Sequence, residues 1–493
     1  MGCRATVREL VVGEAGVGMF ADGRPMAEVL AELEALHAGD EPGRGRPGVA
    51  NTFDSGSASV EQVAVRAFDL YLHVNGLYPT SFPSVATLEH QVVAAVGEMV
   101  HAPPGAAGSW TSGGTESCLL AAKAARDARP DIEHPEIVFA RSAHAAWAKA
   151  AKYFGLEPVI VDIDPVRMTA EVDAVERAIT DRTVLVVVSA PSYGHGVVDP
   201  IPEIATICAR LGVRCHVDAC IGGWVLPFAE QLGRPVPDWD FRVPGVDSIS
   251  VDLHKYGYAP KGCSIVLYRT AAMRRTQYFV ASDWTGYPVV NSTMQSSKSG
   301  GLIAAAWAVL RHIGADGYRA LVTRTLDATR ELVDGIAEID GLRVLGTPAT
   351  SLVAVTTDGV DFFPFLDELE RLGWAVQPQL SQTGIPPTIH LTMTATHGPH
   401  VADLLGALRA AVLAARARGP LPTAEQLRFV DELAAQAASD AGVSADGLTE
   451  LMVKAGLLTD GRMAPVHALL DTLPPQLREN VLLAFFEGLN PPL

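Results

Sequence analysis

Apolar positions along this chain recur with two different periods, and the switches between them mark its elements. Residues 61–73 and 84–100 carry apolar side chains at helical spacing, clearest in "EHQVVAAVGEMV". Between 111 and 270 short apolar runs alternate with helical stretches. "EIVFA", "EPVIVDI", "TVLVVVSAP", "VRCHVDAC", "DSISVDL" and "CSIVLYR" predict strands. "TSGGTESCLLAAKAARDA", "HAAWAKAAKYFG", "AEVDAVERAIT" and "IPEIATICARLG" predict the helices between them. Strand and helix in turn predict an α/β layer with a mostly parallel sheet. Near-continuous Val and Ile runs fit strands covered on both faces.

The flanks read differently. Residues 22–60 are rich in Gly, Pro, Arg and Ser and predict an arm or loop. Residues 301–340 look helical, and "LRVLGTPATSLVAVTT", "FLDELERLG" and "TIHLTMT" predict a smaller α/β unit ending near 418. A tail over 423–488 has helical periodicity, and no tandem repeat is present. The expected division is an N-terminal arm with helices over 1–110, a large domain over 111–312, a small C-terminal domain over 313–418 and a helical extension over 419–493.

Composition narrows the function. The 493 residues are 48% apolar, enough for a large core, and the net charge of −18 argues against a nucleic-acid partner, whose phosphates need basic surfaces. None of the six cysteines forms a CxxC pair, so no metal centre is expected. The opening "MGCRATVRELVVGEAGVGMF" has only a short apolar run, interrupted by Glu14, and no 18-residue apolar stretch occurs. No signal peptide and no membrane span are therefore expected, and a reducing cytoplasm is the simplest compartment.

Chemistry-bearing residues collect at predicted strand ends, where open α/β sheets bind ligands. Asp218 follows "VRCHV", and His254 and Lys255 follow "SISVDL". "TSGGTES" places glycines at a helix start, where free N–H groups and the positive dipole end suit a phosphate. Each has a bland reading: a helix cap, a solvated turn, a simple turn glycine. Together they match what pyridoxal phosphate needs: a lysine for a Schiff base, a carboxylate for the pyridinium nitrogen and a phosphate cradle. A lysine in that role needs a lowered pKa, which partial burial and the cofactor's neighbourhood can supply.

The chain resembles the sphingosine-1-phosphate lyase branch of the fold type I, pyridoxal-phosphate-dependent (group II) decarboxylase superfamily. The resemblance rests on "FPSVATLEHQVV", "TSGGTES", "HAAWAKAAKYFG", "SAPSYGHGVVDPI", "HVDACIGGWVLPF", "DSISVDLHKYGYAPKG" and "GGLIAAAWAVL", in order from about 75 to 312. It implies a large domain with a mostly parallel sheet, a smaller C-terminal α/β domain, a homodimer and a small amino substrate. It implies that Lys255 carries the cofactor, that Asp218 binds the ring nitrogen and that His144 stacks on the ring. Gly113, Gly114, Thr115, His254 and Ser297 would serve the cofactor, and Lys261 matches a second active-site lysine. Cys220 matches a position beside the cofactor, or is simply a small buried residue. His216 reads as a core residue.

The substrate-facing parts depart from the family. Tyr78, in "NGLY", replaces a histidine linked to the substrate phosphate, and "VVNSTMQSSKSGG" has Val289 for a tyrosine and Lys298 for an arginine. Lys and Arg are not equivalent at a bidentate phosphate site. Tyr78, Lys261 and Lys298 are thus the expected substrate contacts. The expected reaction is carbon–carbon cleavage of a 2-amino-3-hydroxy compound to an aldehyde and an amine. The alternative is amino-acid decarboxylation with the same cofactor.

Overall fold

The computed structural model describes residues 23–38, 53–374, 376–418, 428 and 463–489. The chain start, the segment 39–52 and most of the tail lie outside the described residues. Two compact units are present. One holds 53–356 with 389–405; the other holds 23–38, 357–388 and the described parts of 406–493.

In the first unit a seven-stranded sheet is built from β1 (Ala107–Thr111), β2 (Glu136–Ala140), β3 (Glu157–Val161), β4 (Thr183–Ser189), β5 (Arg214–Asp218), β6 (Val246–Asp252) and β7 (Ser264–Tyr268). Their order is β1-β7-β6-β5-β4-β2-β3. β6, β5, β4, β2 and β3 pair in parallel, and β7 runs antiparallel to both its neighbours. This is the mostly parallel α/β sheet expected from the sequence, with every residue of β2, β4 and β7 buried. Helices Gly114–Asp127 and Ala146–Phe154 bury Leu119, Ala122, Trp147 and Ala150 in one core with Ile137, Phe139 and Leu185 of the sheet.

Register decides what meets at the carboxyl edge. Ser189 lies opposite Asp218, Asp218 opposite Ser250, Asp252 opposite Ser264, and Ser264 opposite Thr111. The Gly-Gly turn that follows β1 therefore sits beside the ends of β5 and β6. β1 itself ("AGSWT") escaped the sequence reading, because Gly and Ala give it little strand character. The run from 301 onward forms helix Gly300–Ala337, interrupted at Gly314, whose backbone is non-helical. Helix Met26–His37 lies where an arm was expected.

In the second unit helix Ala464–Thr472 of the tail packs on helix Phe362–Arg371. Asp471 accepts hydrogen bonds from the Ser381 backbone N–H at 2.6 Å and from its hydroxyl at 2.9 Å. Asp471→Ala should leave both donors short of a partner and cost roughly 1–3 kcal/mol. Urea unfolding measures it; a midpoint equal to the unaltered protein's would show that this tail contact carries no weight.

Candidate active site

A cavity of about 310 Å³ opens at the carboxyl edge of the sheet. Its lining includes Gly113, Gly114, Thr115, His144, Asp218, Cys220, His254 and Lys255, all expected from the sequence. It also includes Asp252, Tyr193, Glu116 and Cys118, which were not.

Asp218 ends β5 and is buried. Its Oδ2 accepts the Trp147 indole N–H at 3.1 Å and a weaker Cys118 thiol contact at 3.7 Å, and its Oδ1 accepts the Cys220 N–H at 3.2 Å. Burial works against its charge, but His144, His216, Lys255 and the Trp147 N–H outweigh it and hold the carboxyl below the usual range. Trp147 was quoted within "HAAWAKAAKYFG" yet given no role; a fully buried indole needs an acceptor, and that was the available signal.

Lys255 follows β6, with 17% of its side chain exposed and its Nζ 2.9 Å from Asp252 Oδ2. Burial opposes the ammonium, yet Asp252, by its charge and its hydrogen bond, and Asp218 prevail and hold it above the ordinary lysine range. At this nitrogen two buried carboxylates outweigh desolvation. His254 Nδ1 donates to the Cys263 carbonyl at 2.8 Å, which leaves Nε2 3.7 Å from Asp252. His144 Nδ1 accepts the Ala146 N–H at 3.1 Å, and its ring meets Tyr193 edge-on at 6.2 Å.

The glycine turn has specific constraints. Gly113 adopts φ 147°, ψ 167°, a conformation essentially closed to other residues. A Cβ on Gly114 would lie 2.7 Å from both Asp252 oxygens and 2.8 Å from Cys220 Sγ. No side chain caps helix Gly114–Asp127, so its dipole end faces the cavity. Glu116 braces the turn, accepting the N–H of Ser112 at 2.5 Å and of Met294 at 2.7 Å. Cys118 and Cys220 Sγ and the Asp218 carboxylate gather within 4.8 Å, a grouping that no sequence spacing foretold. Burial raises Cys118 to about 11, and the Cys118 hydrogen bond with burial raises Cys220, so both thiols stay protonated.

The remaining predicted residues lie outside this cavity's lining. Lys261 Nζ sits over the Phe53 ring at 4.9 Å. Ser297 Oγ accepts from Asn75 at 3.3 Å. Lys298 pairs with Glu89 at 2.8 Å and lines a second cavity of about 340 Å³ that shares Ser112 and Glu116 with the first. The Tyr78 hydroxyl meets that of Tyr287 at 3.1 Å.

An anchored carboxylate, a lysine, a histidine face and an uncapped glycine turn fit pyridoxal phosphate. Comparison with known proteins agrees. Residues 51–356 match the family model described as "Pyridoxal-dependent decarboxylase conserved domain". The chain belongs to this family. Residues 429–488 match a second model, "Pyridoxal-dependent enzyme, C-terminal putative HTH domain". Within the family the chain is similar to the sphingosine-1-phosphate lyase of Dictyostelium discoideum, 38% identical over 369 residues, 75% of this chain and 69% of that protein. The Oryza sativa subsp. japonica sphingosine-1-phosphate lyase is 38% identical over 405 residues, 80% of this chain and 74% of its own. A solved Burkholderia pseudomallei sphingosine-1-phosphate lyase aligns with TM-score 0.76 at 34% identity, covering 85% of this chain and 96% of that one. The protein is thus a pyridoxal-phosphate-dependent lyase, homologous to sphingosine-1-phosphate lyases. Among the described residues no helix is long and apolar enough to cross a membrane.

His216, behind Asp218, is fully buried between Ser248 Oγ at 2.8 Å and Ser250 Oγ at 3.1 Å, and burial pushes it down to about 4. Burial likewise pushes His390 and His397 to about 4. An unfolded histidine takes its proton near pH 6.5, before the folded one does, so acid favours unfolding. Stability full above about pH 6.5 should fall as pH drops towards about 4, by roughly 3 kcal/mol for His216. His216→Gln should flatten part of this slope in urea midpoints read against pH; an identical slope would refute the assignment.

Proposed function

We propose that this protein cleaves the Cα–Cβ bond of a 2-amino-3-hydroxy substrate to an aldehyde and an amine, and acts as a homodimer. The reading is carried by Lys255 and Asp218 at one cavity, in a chain 38% identical to sphingosine-1-phosphate lyases. Pyridoxal phosphate, when bound, supplies the electron sink. Lys255 anchors it and Asp218, fixed by Trp147, holds a proton at its ring nitrogen. His144 would cover the ring face, while Gly113, Gly114, Thr115 and the uncapped helix end would hold its phosphate, with His254 and Ser297 assisting. One proton must leave the substrate hydroxyl and one must return at Cα. Lys255 Nζ and the Tyr193 phenol, kept protonated by burial, are proton carriers at the cavity.

Borohydride reduction of the loaded enzyme should fix the cofactor on the peptide containing Lys255, and Lys255→Ala should abolish turnover. Label on Lys261 would overturn the assignment. The same enzyme should sediment at twice the chain mass, with the segment 283–300 reaching the other subunit; an active monomer would refute the dimer.

Substrate choice follows from Tyr78 and Lys298. Lys298 is paired with Glu89 and Tyr78 with Tyr287, so neither offers a spare charge to a phosphate. Losing one charge-assisted bond costs roughly 1.5–3 kcal/mol, about ten- to a hundredfold in affinity. Phosphorylated sphingosine should therefore be a weak substrate, improved by Tyr78→His with Lys298→Arg. Aldehyde release from candidate amino alcohols tests this. Efficient cleavage by the unaltered protein, slowed by the double change, would sink the substrate reading, and CO2 from amino acids would favour the decarboxylase.

A further inference from the structure

Asp252 closes β6 three residues before Lys255 and is 1% exposed. Its Oδ2 meets Lys255 Nζ at 2.9 Å, while Oδ1 is buried with no hydrogen-bond partner among the described residues. Gly114 leaves room for it, since a Cβ there would press on both oxygens at 2.7 Å. Asp218 is engaged elsewhere, by the Trp147 and Cys220 N–H groups. The site thus holds two buried carboxylates with separate targets, and one of them is aimed at the lysine.

We propose that Asp252 is a positioning residue for Lys255: it pins the side-chain nitrogen at the cavity wall and keeps it as an ammonium until the cofactor is captured. The inference rests on Lys255 being the anchor. Lys255 could hold the cofactor only after Nζ has released that proton to solvent, and Asp252 would set how readily it does so. Asp218 also favours the ammonium from the end of β5, but its hydrogen bonds go to Trp147 and Cys220; the other groups facing Lys255 do not replace Asp252. From the end of β5, Cys220 is a protonated thiol, as is Cys118 on the helix behind it. From the loop after β4, the Tyr193 phenol is kept neutral by burial. From the loop after β6, His254 is pushed towards neutrality by burial, and Lys261 is a like charge.

The test uses the full chain freed of cofactor and trace-labelled with acetic anhydride across a range of pH. Mass spectrometry then compares the Lys255 peptide with that of exposed Lys152. Lys255 should label at least about tenfold more slowly at about pH 8, the effect of one unit of pKa. Asp252→Asn should raise Lys255 labelling about tenfold and move its profile to lower pH. Asp252→Glu, which keeps the carboxylate, should restore most of the slow profile. An Asn variant with an unchanged profile overturns the proposal. If that variant does not fold, Lys255 labelling as fast as Lys152 in the unaltered chain overturns it alone. Borohydride fixation separates the two readings: cofactor found on another lysine refutes the anchor, whereas cofactor on Lys255 with unchanged labelling refutes only the role of Asp252.

Discussion

Two carboxylates buried at the ends of adjacent parallel strands must be compensated, and the rest of the site is arranged around that requirement. Asp218 and Asp252 are both buried at the carboxyl edge of β5 and β6. A buried carboxylate without partners would surrender its charge. Asp218 keeps its charge through an indole N–H, a backbone N–H and nearby cationic groups; Asp252 is matched by the Lys255 ammonium. Breaking such a pair by removing one partner typically costs roughly 3–5 kcal/mol, so the lysine serves as a structural counter-ion.

The same constraint shapes the glycine turn. The helix Gly114–Asp127 starts against Asp252 so closely that a methyl group cannot fit, and Gly113 takes a backbone conformation that only glycine adopts easily. The turn is held from below by Glu116, whose two oxygens take the N–H groups of Ser112 and Met294. A positive helix end, braced by one carboxylate and abutting another, is stable and still open to an anionic ligand.

The strand-end residues and the residues expected to meet substrate or cofactor from connecting segments therefore stand on different footings. Residues at the strand ends are placed by the sheet itself. Tyr78, Lys298 and Ser297 lie on connecting segments and find partners there: Tyr287, Glu89 and Asn75. A chain can keep the chemistry of its family while such contacts drift, because altering them does not uncover a buried charge.

The sequence by itself determined the α/β layer, the strands carrying Asp218 and Lys255, the glycine turn and the family. Those features live in local periodicity and in motifs of adjacent residues, which a linear reading can see. The Gly- and Ala-rich strand β1 and the helix Met26–His37, set among Gly and Pro, lacked a strong local signal. Only the tertiary structure decided that Asp252 meets Lys255 and that Trp147 meets Asp218. Both Asp252 and Trp147 stood inside quoted motifs. Their roles depend on strand register, which brings Asp218 to Trp147 across 71 positions and Asp252 to Gly114 across the β1, β7 and β6 ladder. Desolvation and charge act through space, so the sign of a pKa shift follows from those neighbours and not from the residues beside it in sequence.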